Sequence, residues 1–442
     1  MLFAGPLFIA VAFVLMISRV EPFANFFYLC AWYGLIFTFD QLIRKREGRS
    51  LILRCGPGFL LVLFWSAVTW YFFELLNLRL QNWYYIFVID HPLIRPIATF
   101  LSFATVFPGI FWIDRYLELR GVGRDLSGAP RRFSPAALRN LQLLGLVFLV
   151  LPLLLPTYFF PLVWGSLALL LAPLNYRRGG DGLLRQMEKG EYGPLMRMLL
   201  AGLVAGLFWE SFNFWARAKW IYTVPFFDRL KLFEMPLAGF LGFPPFAVEC
   251  AVVYRWLVWN RLAPSFGPFT DQKPKNGGGA LRTAAVLLAA LFALAVDQLV
   301  VGRVTITSTI PRVKRGEGLD PQTRDWLVSH GIRYLTDLEG WGSKRLWKQL
   351  ESALGPERTA RLRRISALYL HQGIGVEYGN LLIRAGIDSL EKLGASTAEE
   401  VRLRLEKTAP HARLPTLPQI RVWIRRIPGS SGRDRPEESP RR

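Results

Sequence analysis

The sequence predicts an all-α protein: a polytopic membrane helix bundle of about nine spans, followed by a small soluble helical domain. Three observations carry this. First, apolar runs of ~20 residues recur through the first 300 positions, long enough to cross the ~30 Å hydrocarbon layer. Second, 52% of the 442 residues are hydrophobic, yet the 20% that are charged are segregated, into loops between those runs and into the stretch beyond residue 311. Third, beyond residue 311 the pattern changes to short amphipathic segments punctuated by glycine.

The spans are expected at about 2–18, 24–41, 56–76, 93–113, 140–156, 158–174, 195–215, 236–258 and 281–301. The first run has no basic segment before it, so it reads as a span rather than a cleaved signal peptide. Little more than Leu155-Pro156-Thr157 joins the fifth and sixth spans, which predicts a tight helical hairpin. Basic residues crowd the loops after spans two, four, six and eight, among them Arg46, Arg124, Arg178 and Lys273. The positive-inside rule makes that side, and with it the N-terminus, cytoplasmic. An odd number of spans then puts the C-terminal domain outside. The net charge of +21 is read mainly as loop charge that orients helices and meets anionic headgroups, not as a nucleic-acid surface. Cys30, Cys55 and Cys250 lack metal or redox spacing. Without HxxxH, CxxC or P-loop patterns, no metal or cofactor is expected.

An internal duplication is read from matched residues. Glu74, Asn77, Trp83 and Tyr85 recur in order as Glu210, Asn213, Trp220 and Tyr222. PIATFLSF (96–103) matches PLAGFLGF (236–243), and Trp32 matches Trp164. The expected divisions are a first four-helix repeat (1–135), a second (136–262), a linker with the ninth span (263–311), a helical domain (312–428) and a disordered tail (429–442). An even number of spans per repeat gives both copies the same orientation, so an axis along the membrane normal would relate them, with sites between the halves.

The candidate site follows from the intramembrane acids. An ionised carboxylate in hydrocarbon costs ~3 kcal/mol or more, and such residues usually serve function. Asn at i+3 lies on the same helix face as each Glu. Glu210 and Glu249 are the candidate catalytic residues. Glu74, Asn77, Asn213 and Glu234 are candidate ligand contacts, with Trp83, Tyr85, Trp220 and Tyr222 as pocket walls. The alternative for the acids is a structural ion pair, Glu74 with Arg79 or Glu210 with Arg217. The alternative for the Trp-x-Tyr pairs is anchoring at the membrane–water boundary. His91 is read as a turn residue, and 223–236 as an amphipathic segment lying along the surface.

In the last domain, GEGLDPQTRDWLVSHGIRYL and GIGVEYGNLLIRAGIDSL repeat one pattern of Gly turn, helix and Gly-Ile turn. Asp388-Ser389 supplies a helix cap. This pattern, with the closing LPTLPQIRVWIRRIP, resembles tandem helix-hairpin-helix modules of a bacterial domain family of unknown function. The resemblance implies an interaction turn at Gly373-Ile374-Gly375. Many such modules bind DNA phosphates, but Asp320 in the first copy would repel them, so a protein partner is favoured over nucleic acid.

The membrane region shares small helical repeats, acids near helix ends and Trp-x-Tyr-like segments with lycopene-cyclase-type domains, and resembles them in that respect. Their paired glutamates after a proline are missing; here Glu234 precedes Pro236. The resemblance implies an apolar, isoprenoid-like ligand. The reading is therefore a multi-pass protein of the bacterial cytoplasmic membrane with an intramembrane cavity for a lipid or isoprenoid-like molecule. A membrane scaffold that recruits a partner through its tail is the second reading, and a transporter the third.

Overall fold

The structure is a computed structural model and describes residues 3–180, 182–224, 230–269, 279–339 and 343–429. Helices α1 (Ala4–Ile17) and α2 (Phe23–Glu47) form a hairpin, and α3 (Gly58–Leu80) leads into strand β1 (Trp83–Ile86). A broken span follows as α4 (Ile94–Phe103) and α5 (Val106–Leu119). The second half holds α6 (Pro135–Leu154), α7 (Ser166–Arg177), α8 (Gly193–Trp215), strand β2 (Lys219–Tyr222) and α9 (Phe243–Trp259). Helix α10 (Gly279–Val296) runs on as a π-helical stretch, Asp297–Thr305.

Eight helical stretches among the described residues are long and apolar enough to cross a membrane. The expected first span is the exception. Helix α1 has 14 residues, about 21 Å of helix, which falls short of the ~30 Å hydrocarbon layer. It packs tightly on α2 instead: a Cβ on Gly34 would come within 2.7 Å of the Ile9 side chain. Close crossings at small residues recur. A Cβ on Gly145 would meet Leu170 N at 2.8 Å, which locks the α6–α7 hairpin. One on Gly202 would meet the Ala247 Cβ at 2.7 Å, where α8 crosses α9. Lipid gives helices no hydrophobic reason to associate, so close van der Waals fit has to supply it.

The all-α expectation holds, with short strand pairings added to it. Strands β1 and β2 pair antiparallel, with Trp83 opposite Tyr222 and Tyr85 opposite Trp220. The aromatic and β-branched residues of WYYI and KWIY suit a strand, and neither run could satisfy its backbone without the other. This ribbon joins the two halves at one end of the bundle. The arginine-rich loops lie at the other end, where Arg115 pairs with Glu47 and buried Arg197 lies 2.9 Å from Asp114.

The C-terminal domain contains α11 (Pro321–Ser329), α12 (Ser343–Leu354), α13 (Pro356–Leu370), α14 (Gly375–Arg384), α15 (Ala398–Thr408) and α16 (Leu417–Arg425). Asp320 caps α11 through Thr323 N at 3.0 Å, and Ser389 caps the next short helix through Lys392 N at 3.2 Å. Leu327, Leu335 and Leu362 centre one small core, and Leu382, Val401 and Trp423 a second. The domain sits on the ribbon: Tyr84, Ile86, Phe87 and Ile221 share a buried cluster with Ile310 and Val422. It therefore lies at the end opposite the arginine-rich loops. Residues 430–442, where a disordered tail is expected, lie outside the described residues.

Candidate functional site

A cavity of about 430 Å³ opens at the ribbon end, between the two halves. All four residues of the Trp-x-Tyr pairs line it, together with Trp70, Trp164 and Trp209. They are not boundary anchors: Trp83 and Trp220 are 6% and 8% exposed. Pairing of the strands turns these rings inward, which periodicity along a single segment could not reveal. Met235 and Pro236 complete the wall on the loop side.

The acids stand behind this wall. Glu74 Oε1 accepts from Tyr85 Oη at 2.6 Å, Trp83 Nε1 at 3.0 Å and Trp70 Nε1 at 3.1 Å. Glu210 Oε1 accepts from Tyr222 Oη at 2.7 Å. Burial, and then the adjacent carboxylate, pushes both phenols well above their ordinary range, so both remain donors. The expected arginine pairs do not form. Arg79 donates to Leu154 O, and Arg217 reaches Glu21 and Asn25. Arg79 lies in the last turn of its helix and Arg217 just past the end of its own, where other chain segments offer acceptors.

Asn77 and Asn213 do not face the cavity either. Asn77 donates to Trp83 O at 3.0 Å and accepts from Asn82 N at 2.8 Å. Asn213 donates to Trp220 O at 3.1 Å and accepts from Trp220 N at 2.9 Å. Each ties a strand to the helix before it and satisfies buried backbone groups that the short ribbon leaves over. Glu249 caps a broken helix: its Oε1 accepts from Leu167 N at 2.5 Å, at the start of α7. Glu249 is thus held at the α7 N-terminus and is not part of the cavity wall.

Glu234 lies at the cavity rim, beside Met235 and Pro236, and is 6% exposed. Its Oε2 is 3.0 Å from Arg426 Nη1 of the C-terminal domain. The segment expected to lie along the surface is in part a tight hairpin, with Lys231–Leu232 paired to Met235–Pro236; residues 225–229 fall outside the described residues. Gly373 and Gly375 take positive φ, +74° and +70°, and press against Ile86 and Ser308. The Gly373-Ile374-Gly375 turn is therefore spent on contact with the protein's own ribbon. Tyr84 Oη adds a bond to Gln372 O at 3.0 Å, and Arg413 donates to the carbonyls of Val304 and Ile306. His91 behaves as expected, its Nδ1 accepting from Leu93 N and Ile94 N at 3.2 Å each.

A second cavity, about 110 Å³, lies across the ribbon and shares Trp70, Tyr85, Trp209 and Trp220 with the first. Its wall includes Ala98, Thr99, Ser102, Phe103 and Val106. The positions aligned with these in the sequence, Ala238, Gly239, Gly242, Phe243 and Phe246, line the large cavity. Glycines in place of Thr99 and Ser102 open space on one side. On the other side, Asp297 of the π-helical stretch binds Arg95 at 2.7 Å and Tyr71 at 3.1 Å. Sequence reasoning missed Asp297 and Arg95, although an acid at the end of the last apolar run was a readable signal. It also missed Trp70 and Trp209, which carry no mark beyond their size.

Residues 317–427 match a family described as a domain of unknown function (DUF4332). No curated protein and no solved structure matches the chain. A multi-pass membrane helix bundle carrying that C-terminal domain is the class the fold defines.

Proposed function

We propose that the large cavity binds the apolar portion of a lipid or isoprenoid-like molecule that enters sideways from the bilayer. The observation that carries this is the cavity's lining and rim. About half of its lining residues are aromatic and nearly all the rest apolar, and Tyr158 and Leu241 at its edge are 70% and 76% exposed on membrane-spanning stretches. Surface of that kind is stable only against lipid or a partner, and a concave apolar pocket of several hundred Å³ is of the size that takes a small ligand. In this reading, Glu74 and Glu210 hold the wall's phenol and indole groups in place rather than touching the ligand.

The two four-helix halves are read as copies of one unit. Trp-x-Tyr paired head-to-tail with Trp-x-Tyr is the arrangement that a two-fold axis along the membrane normal would produce. The arginine-rich end is assigned to the cytoplasm of a bacterial cell, which leaves the ribbon, the cavity and the docked domain on the outside.

The test is native mass spectrometry of protein purified in mild detergent, wild type beside Gly242→Leu. A Cβ at Gly242 meets nothing closer than Trp164 at 3.5 Å, so a leucine there has room to start into the cavity and narrow it. A bound apolar molecule in the wild type that the variant loses supports the reading. Identical spectra with nothing bound would sink it.

A further inference from the structure

We infer that the ligand of this cavity carries a quaternary ammonium group, held by the aromatic wall with Glu74 and Glu210 behind it. The inference rests on the cavity reading above and adds the chemistry of the ligand's head.

No described residue that lines the cavity is charged. An anionic head would find no cation among the described lining residues, with Arg426 at the rim already paired to Glu234, and would face two acids just beyond the wall. A wholly neutral ligand would use the two acids only to hold the rings in place, although each is costly to keep in hydrocarbon. A cation answers both points. Indole faces are the best of the aromatic acceptors for cations, and five tryptophans line this space. The rings pack into one continuous wall, with Trp70 and Trp83 centroids 6.0 Å apart, Trp83 and Trp164 6.1 Å, and Trp70 and Trp209 5.2 Å. Glu74 draws hydrogen bonds from Trp70, Trp83 and Tyr85 at once. Accepting those protons leaves the rings richer in electrons. Glu74 and Glu210 each keep a buried Oε2 with no hydrogen-bond partner among the described residues.

The head is quaternary rather than primary because of what the wall lacks. A primary ammonium brings three N–H donors that must be satisfied once desolvated. The five indoles have no acceptor to offer, the acids' free oxygens lie behind the rings, and Asn82 and the tyrosine hydroxyls are the few side-chain acceptors in the lining. A trimethylammonium group has no N–H to satisfy and presents methyl groups to the rings. Lys231 acts electrostatically on Glu210 from the loop side, so Glu74 is the acid on which the test is built.

The experiment titrates full-length protein in a neutral maltoside detergent, read by tryptophan fluorescence. The probes are a short-chain phosphatidylcholine and its analogue with carbon in place of the quaternary nitrogen. The expected result is at least tenfold tighter binding of the choline form. Glu74→Gln should cut that ratio below threefold, and Gly242→Leu should abolish both. If Glu74→Gln fails to fold, the wild-type ratio still decides. Equal affinities, both lost in Gly242→Leu, overturn the cation and leave the cavity standing. Failure of both probes to bind, or binding untouched by Gly242→Leu, overturns the cavity reading as well. Competition by free choline separates the two sources consistent with the inference: displacement marks a water-borne cation, and its absence a membrane amphiphile.

Discussion

Arg426 Nη1 lies 3.0 Å from Glu234 Oε2, joining the last helix of the C-terminal domain to the rim of the aromatic cavity. Both side chains are largely withdrawn from water, 22% and 9% exposed. Removing either partner leaves the other desolvated and unpaired. Glu234→Gln or Arg426→Gln should each weaken docking by about 1–3 kcal/mol. The double variant should cost less than the sum of the two. Limited proteolysis between residues 306 and 316 would measure the loss.

The glycine turn makes a sharper prediction. Alanine at Gly373 or Gly375 pays for positive φ and also drives a methyl group into Ile86 or Ser308. Gly386 has φ +82° with nothing within 4 Å, so Gly386→Ala pays the backbone strain alone, about 1 kcal/mol. Gly373→Ala should release the domain from the ribbon while Gly386→Ala leaves it docked. Equal protease sensitivity in the two variants would contradict the contact.

Asn77→Ala and Asn213→Ala should be destabilising to a similar degree. Each strips a buried backbone donor and a buried acceptor of their partners, about 1–3 kcal/mol per group. Thermal unfolding in detergent should show both variants lowered alike. A silent variant in one half would show that the matched residues do different work.

His371 sets a pH dependence. Burial, with Arg426 adding to it, lowers its pKa below the ordinary 6.5, and the neutral ring keeps its Nε2 bond to Trp423 O at 2.7 Å. The unfolded chain therefore takes up a proton first as pH falls. The stability that the neutral ring contributes is present above about pH 6.5 and declines below it. Between pH 7.5 and 5.5 the wild type should lose more stability than His371→Gln. Parallel losses would remove His371 as the cause.

The assigned orientation can be checked by labelling. Ser396 and Arg124 lie at opposite ends of the molecule, and Arg124 is exposed on the arginine-rich side. In a chain with its native cysteines replaced, Ser396→Cys should react with a membrane-impermeant maleimide on intact cells, and Arg124→Cys only after lysis. The reverse pattern would invert the topology.

Much of this architecture can be read from one-dimensional pattern. Long apolar runs predict where helices cross, because only a helix satisfies its own backbone in lipid. The α6–α7 hairpin and the Ser389 cap were legible for the same local reason. The recurrence of Glu-x-x-Asn with Trp-x-Tyr pointed to residues that meet around the ribbon, yet their contacts differ from those expected. Glu249 was marked by its depth in the membrane, and only the break before α7 explains its bond to Leu167 N.

Composition and spacing determined that this chain crosses a membrane many times, carries acids where hydrocarbon disfavours them and ends in a small helical domain. Tertiary structure alone decided that two short aromatic strands pair across the halves and face a cavity, with Glu74 and Glu210 behind the rings. It alone decided that the glycine turn rests on the protein's own ribbon. The physical reason is that helix formation is local, whereas strand pairing and side-chain facing depend on partners more than a hundred residues away.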